Sequence, residues 1–243
     1  MTAPPRPFLT ARWEHLVLLN YTVPQRLIAP LVPHGTEIDR FGGEALASLV
    51  AFRFAETRLL GWSIPGHRVF PEVNLRFYVS RVAPDGVRRR AVVFVSELVP
   101  RFAVAALARA AYNEPYRTVP MAHETALDPE SGGYVCYAWR SGPHFYALEA
   151  SADGPADSLE PGSEAEFVTE HYFGYTRQRD GSTLEYGVEH PPWRVWDTPR
   201  AGFFGPAAAL YGDDWGRVLS ARPRSAFVAL GSDVTVRRGT RVA

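Results

Sequence analysis

Lysine is missing from this 243-residue chain: all 26 basic side chains are arginines, whose guanidinium groups stay protonated at any physiological pH. A Schiff base to a carbonyl compound needs an amine that can lose its proton, so only the α-amino group of Met1 could form one here. Cysteine is nearly absent too. The single Cys136, in Tyr134-Val-Cys-Tyr-Ala-Trp139, excludes a disulfide within the chain and reads as a small buried strand residue. No apolar run approaches the roughly 20 residues that cross a bilayer. The start, Met1-Thr-Ala-Pro-Pro-Arg-Pro, has no apolar stretch of a secretion signal, so no membrane association and a cytoplasmic location are expected. Net charge is zero, 26 acidic against 26 basic residues, and no basic stripe exists to meet phosphates, which argues against nucleic acid. The triplet Arg88-Arg89-Arg90 reads as an exposed strand start.

What is present is a globular composition, 46% apolar and 13% aromatic against 21% charged. A chain of this length buries about three-quarters of its unfolded surface, enough for a sizeable core. Residues 24–32 predict a short helix, with Pro24 in its first turn and Leu27, Ile28 and Leu31 on one face. Strand signals then dominate. Residues 45–57 are apolar and β-prone, and residues 72–81 alternate strictly. Residues 87–97 follow the turn Pro84-Asp-Gly86, giving a hairpin. Two further hairpins are predicted, 133–140 with 144–151 across Ser141-Gly-Pro143, and 172–178 with 183–190 across Arg179-Asp-Gly-Ser182. A last strand covers 225–237. Helical character is confined to 101–111, 163–171 and 205–211, and residues 153–162 read as an exposed acidic loop. The expected architecture is mainly β (α+β): one domain over residues 1–243, a closed or nearly closed, antiparallel-rich β-barrel with a few flanking helices.

One strand carries the functional argument. In Glu72-Val-Asn-Leu-Arg-Phe-Tyr-Val79 the period of two puts Val73, Leu75, Phe77 and Val79 on one face and Glu72, Asn74, Arg76 and Tyr78 on the other. That polar row is either a solvated outer face or the lining of an interior site offering an acid, an amide, a guanidinium fork and a phenol. Other chemistry has little support. The histidines His15, His34, His67, His123, His144, His171 and His190 have no zinc-type spacing, and no metal or cofactor is expected. There is no Gly-x-Ser-x-Gly elbow and no phosphate-binding glycine loop.

A resemblance adds to this reading. The order Asn20-Tyr-Thr-Val-Pro-Gln-Arg-Leu, Leu31-Val-Pro-His-Gly-Thr-Glu-Ile-Asp39, Pro71-Glu-Val-Asn-Leu-Arg-Phe-Tyr-Val79, Tyr112-Asn-Glu-Pro-Tyr116 and His190-Pro-Pro-Trp193 resembles the YqjF-like bacterial family of unknown function. That family shares the fold of acetoacetate decarboxylase, which implies a cone-like barrel flanked by helices. By the same resemblance the decarboxylase's acidic strand residue falls at Glu72 and its second glutamate near Ser48. Its Schiff-base lysine falls near Asn113 or Glu114. One acid is kept, one is lost, and the amine is replaced, so decarboxylation through an iminium is excluded for this sequence.

The site residues expected are therefore Glu72, as general acid or base, with Asn74, Arg76, Tyr78, Ser48, Glu114 and Tyr116 around a small organic carboxylate or carbonyl compound. If the site does chemistry, lyase or hydro-lyase work without a covalent amine is expected. The alternative is a non-catalytic protein in which the row is a buried network fixing the barrel. Whether the chain forms a homo-oligomer stays open.

Overall fold

Runs of β-branched and aromatic residues punctuated by glycine and proline turns build most of this chain into strands. The computed structural model describes residues 6–197 and 200–242. In chain order the strands used below are β1 (Leu9–Thr22), β2 (Glu44–Leu59), β3 (Phe70–Val82), β4 (Arg88–Val99), β5 (Tyr116–Thr118), β6 (Met121–Asp128), β7 (Gly132–Ser141), β8 (His144–Asp153), β9 (Phe173–Arg177), β10 (Thr183–Glu189), β11 (Arg194–Asp197), β12 (Arg200–Phe204) and β13 (Ser225–Val236). The helices are α1 (Gln25–Ile28), α2 (Phe102–Tyr112), α3 (Glu164–Thr169), α4 (Ala207–Tyr211) and α5 (Asp213–Leu219).

Seven strands pair in a ring. β13 pairs with β1, β1 with β2, β2 with β3 and β3 with β4, all antiparallel. β4 then pairs with β9 in parallel, β9 with β10, and β10 returns to β13 through Val188↔Val236. Strands β12, β8, β7 and β6 form a second, antiparallel sheet. The antiparallel-rich arrangement expected from the hairpins is present, and the parallel pairings of β4 with β9 and with β5 make the sheet a mixed one. α2 is a crossover after β4 that brings the chain back in the same direction, so β5 lies parallel to β4 through Glu97↔Tyr116, while β9 reaches β4 only after the chain has passed through the second sheet and α3.

The three predicted hairpins and the helices at 101–111, 163–171 and 205–211 are present. The 24–32 segment is α1 continued by a 3-10 turn over Ala29–Leu31. The sequence reading passed over β1, β5, β6, β11, β12 and α5. Cys136 is half-buried rather than buried, because β7 packs Val135, Tyr137 and Trp139 inward and turns Cys136 to its outer face. Among the described residues no helix is long and apolar enough to cross a membrane.

Both faces of β3 are buried. Val73, Leu75, Phe77 and Val79 join a large apolar cluster with Val135, Tyr137, Trp139 and Leu148 of the second sheet. The opposite face, with Glu72, Asn74 and Arg76, looks into the space that the ring encloses.

Candidate functional site

Inside the ring lies a cavity of about 140 Å³, close to the ~150 Å³ of an engineered protein cavity that takes up benzene. Its walls are mostly apolar, from Trp13, Phe52, Phe54, Phe70 and Trp193 among others, and they carry three glutamates: Glu72 on β3, Glu97 on β4 and Glu114 just after α2. All three are buried. Each reaches the cavity for a local reason. Glu72 follows the alternation of β3. Glu114 is turned inward by the end of α2, where Asn113 adopts the left-handed conformation (φ 58°) common at helix ends, while the Asn113 amide faces away and donates to Arg177 O at 2.8 Å. Glu97 depends on a β-bulge: β3 and β4 slip between Leu75↔Ser96 and Arg76↔Phe94, so Val92, Phe94 and Glu97 all face the cavity although their numbers change parity.

The hydrogen bonds are unevenly shared. Glu72 Oε1 accepts from Asn74 Nδ2 at 3.1 Å and its Oε2 from the Tyr116 hydroxyl at 2.9 Å. Glu114 Oε1 accepts from Thr176 Oγ1 at 2.6 Å and from the Tyr186 hydroxyl at 2.8 Å. Arg76 Nη2 donates to Val168 O, near the end of α3, at 3.0 Å. Among the described residues, Trp13 Nε1, Asn74 Oδ1, Arg76 Nε and Glu97 Oε2 have no hydrogen-bond partner within the protein, and neither does either ring nitrogen of His171, another wall residue. Buried polar groups are nearly always paired, so orphans gathered on one cavity mark it as a place for a polar molecule.

Electrostatics follow from burial. Desolvation outweighs the bonds from Asn74 and Tyr116 and the nearby Arg76 charge, and raises the Glu72 carboxyl to about 7. Desolvation likewise raises Glu114 to about 7. Glu97, penalised by burial and then by the charges of Glu114 and Glu72, is pushed well above the usual carboxylate range, which favours its neutral, proton-donating form. The cavity therefore offers a fixed cation, at least one carboxylic acid that can donate a proton, and carboxyls poised to change charge near neutrality.

The residues expected from sequence divide into two groups. Glu72, Asn74, Arg76, Glu114 and Tyr116 meet at the cavity. Ser48 and Tyr78 lie outside it: Ser48 Oγ donates to Asn20 Oδ1 at 2.5 Å and lies 2.5 Å from the Tyr78 hydroxyl, and these buried groups satisfy one another. The β3 alternation puts Tyr78 on the cavity side, but its ring packs on Phe167 and His171 instead. Residues not singled out beforehand are Glu97, Tyr186, Trp13 and, as a polar wall group, His171. The one available signal for Glu97 was a lone acid inside the apolar run Ala91-Val-Val-Phe-Val-Ser-Glu-Leu-Val99. His190 sits at the rim, stacked on Trp193 (4.3 Å between centroids) and Tyr172 (4.9 Å), and lines both the cavity and a surface cleft with Glu189. Among the described residues no cluster of three or more His, Cys, Asp or Glu is placed to hold a metal ion.

This ring around an acid-lined cavity is the acetoacetate decarboxylase-like fold. The chain is similar over its whole length to acetoacetate decarboxylase from Legionella pneumophila (TM-score 0.65, 14% identity, 92% of that chain covered). It is also similar to the enduracididine biosynthesis enzyme MppR complexed with pyruvate (TM-score 0.66, 14% identity, 100% of this chain and 92% of that one). An acetoacetate decarboxylase-like enzyme from Sphingomonas wittichii RW1 gives a TM-score of 0.67 at 11% identity, over 98% and 94% of the two chains. Identities this low speak for the fold alone. Residues 10–204 match the family described as an uncharacterized conserved protein, and the chain belongs to that family, DUF2071. It is 28% identical over 185 residues to the uncharacterized protein YqjF of Bacillus subtilis (strain 168), covering 74% of this chain and 72% of the relative.

Proposed function

We propose that the cavity binds a small organic compound bearing a carbonyl and a carboxylate, with Arg76 holding the anionic group and Glu72 moving protons at the carbonyl end. The reaction class that fits is lyase or hydro-lyase chemistry by acid–base catalysis, without a covalent amine. One observation carries this reading: polar atoms on five wall residues, Trp13, Asn74, Arg76, Glu97 and His171, have no protein partner and share a cavity sized for about six to ten heavy atoms. Each such atom left unbonded costs about 1–3 kcal/mol, which a polar ligand would recover. The competing reading, a network that only fixes the geometry of the ring, accounts for Glu114, whose Oε1 already takes two hydrogen bonds, but not for those orphans.

Thermal melts with a panel of small keto acids, pyruvate included, test the proposal. The parent is expected to gain stability with at least one of them, since a ligand at 100 times its Kd adds about 2.7 kcal/mol. Arg76→Ala should abolish that shift, while Glu72→Gln should keep the shift and lose any turnover. No shift in the parent with any compound, or equal shifts in the parent and Arg76→Ala, would reject the anion site. Loss of folding in both variants would favour the structural network, because removing one member of a buried charged cluster costs about 3–5 kcal/mol.

A further inference from the structure

His171, one residue beyond the chain turn that ends α3, has an acid behind it. Asp39 sits between the short strands Glu37–Ile38 and Arg40–Phe41, and its backbone N–H is fixed to Tyr78 O of β3 at 3.0 Å. Its Oδ2 accepts from Arg90 Nε at 2.8 Å and lies 3.6 Å from His171 Nε2. The imidazole is held between Tyr78 (4.6 Å between centroids) and Phe167 (5.3 Å), its side chain only 1% exposed, and it forms part of the cavity wall. Neither ring nitrogen has a hydrogen-bond partner within the described protein, but Nε2 is the one that lies 3.6 Å from a carboxylate, which favours the proton on Nε2 and the lone pair on Nδ1.

Resting on the reading of the cavity as a keto-acid site, we propose that His171 is the base that removes a proton from the carbon next to the ligand carbonyl, and that Asp39 is its positioning residue. The arrangement is a base within reach of the ligand, oriented by a carboxylate on its far nitrogen. In the step, the C–H bond breaks and its proton goes to Nδ1. The freed electron pair forms a carbon–carbon double bond, and the carbonyl electrons move to oxygen, which takes a proton from the neutral carboxyl of Glu97 or Glu72. The product is an enol, and the reverse steps restore the ketone and every group.

The charged groups facing His171 are Asp39, Arg90 and Arg76. Burial first, and then the two guanidinium charges, hold the imidazole near 4 against the opposing pull of Asp39, so the lone pair is unprotonated at neutral pH. An anionic ligand on Arg76 cancels one of those guanidinium charges. Its arrival therefore makes His171 a stronger base, and substrate binding switches the base on. Asp39 stays ionised throughout: burial alone would raise its carboxyl, but contacts with His171 and Arg90 hold it at about 2.

The test is the exchange of the pyruvate methyl protons for deuterium in D2O, followed by proton NMR, with saturation transfer to pyruvate as a separate readout of binding. The parent should bind pyruvate and speed the exchange. His171→Gln should still bind but lose at least about 100-fold in exchange rate, the usual worth of a positioned base. Added imidazole should restore exchange to His171→Ala, and Asp39→Asn should lower the rate and shift the apparent pKa of its pH profile downward. Nitrogen-15 shifts of the His171 ring in the parent protein, with and without pyruvate, need no variant: Nδ1 should move on binding. Exchange that survives His171→Gln, binding by the parent without exchange, or an unmoved Nδ1 would overturn the role of His171 and leave the binding reading intact. Absence of binding by the parent would overturn both.

Discussion

Burial of Glu72 without a full ion pair fixes how this residue responds to pH. Its carboxyl titrates at 4.5 in an exposed setting and at about 7 here, so the folded protein holds a proton that the unfolded chain releases between those values. The associated stability is fully present below about 4.5 and is lost as pH rises through about 7. At 1.36 kcal/mol per unit the cost above pH 7 reaches on the order of 3 kcal/mol, shared with Glu97 and Glu114 through their coupling. Glu72→Gln keeps an acceptor for Tyr116 and removes the charge. It should therefore raise Tm at pH 8 by about 5 °C while leaving Tm at pH 5 nearly unchanged, in calorimetric scans of both proteins. Equal effects at the two pH values would mean that Glu72 does not titrate in this window. At this scale Glu72, Asn74 and Arg76 were legible because an alternating strand states its own faces. His171 was not, because its partner Asp39 is joined to it only by the fold.

Elements were legible where a turn names itself. Pro84-Asp-Gly86, Ser141-Gly-Pro143 and Arg179-Asp-Gly-Ser182 each placed a hairpin that is present. They failed where a bulge breaks the alternation. β1 bends at His15 (φ 55°), beyond which the pairing with β2 slips from Glu14↔Arg53 to Val17↔Ala51, and Trp13 and Leu16 both face the cavity. A period of two cannot see that strand, and the same slip in β4 hid Glu97. Glycine at 174 matters for another reason. It pairs across from Tyr186, and a Cβ there would lie 2.1 Å from the tyrosine ring. Gly174→Ala should push the ring off its place and break its hydrogen bond to Glu114, at a cost of about 1–3 kcal/mol. The expected readout is a lower Tm together with a weaker ligand-induced shift. A variant melting like the parent would show that the ring has room to move.

For the molecule as a whole, the fold class and the family were within reach of the sequence, and the parallel pairings of β4 with β5 and with β9 were not, since no turn signal connects the segments they join. The absence of lysine acts at this scale as well. The chain has the fold of enzymes named as acetoacetate decarboxylases but no side-chain amine, so borohydride reduction in the presence of acetoacetate or pyruvate should leave no adduct except at the α-amino group. Intact mass and peptide mapping of the reduced protein check this, and a stoichiometric internal adduct would contradict it.

The seam between β1 and β13, which runs from Leu9↔Val236 to Asn20↔Ser225, has a consequence for how the molecule comes into being. Asn20 and Ser225 of the seam are 205 residues apart in sequence, so the ring cannot close before β13 is in place, and contacts this distant in sequence form slowly. Until the seam closes, Glu72, Glu97 and Glu114 face water and are ionised at neutral pH. Closing it dries them, and with the Glu72 and Glu114 carboxyls raised to about 7 the docking of β13 is expected to be coupled to proton uptake near neutral pH.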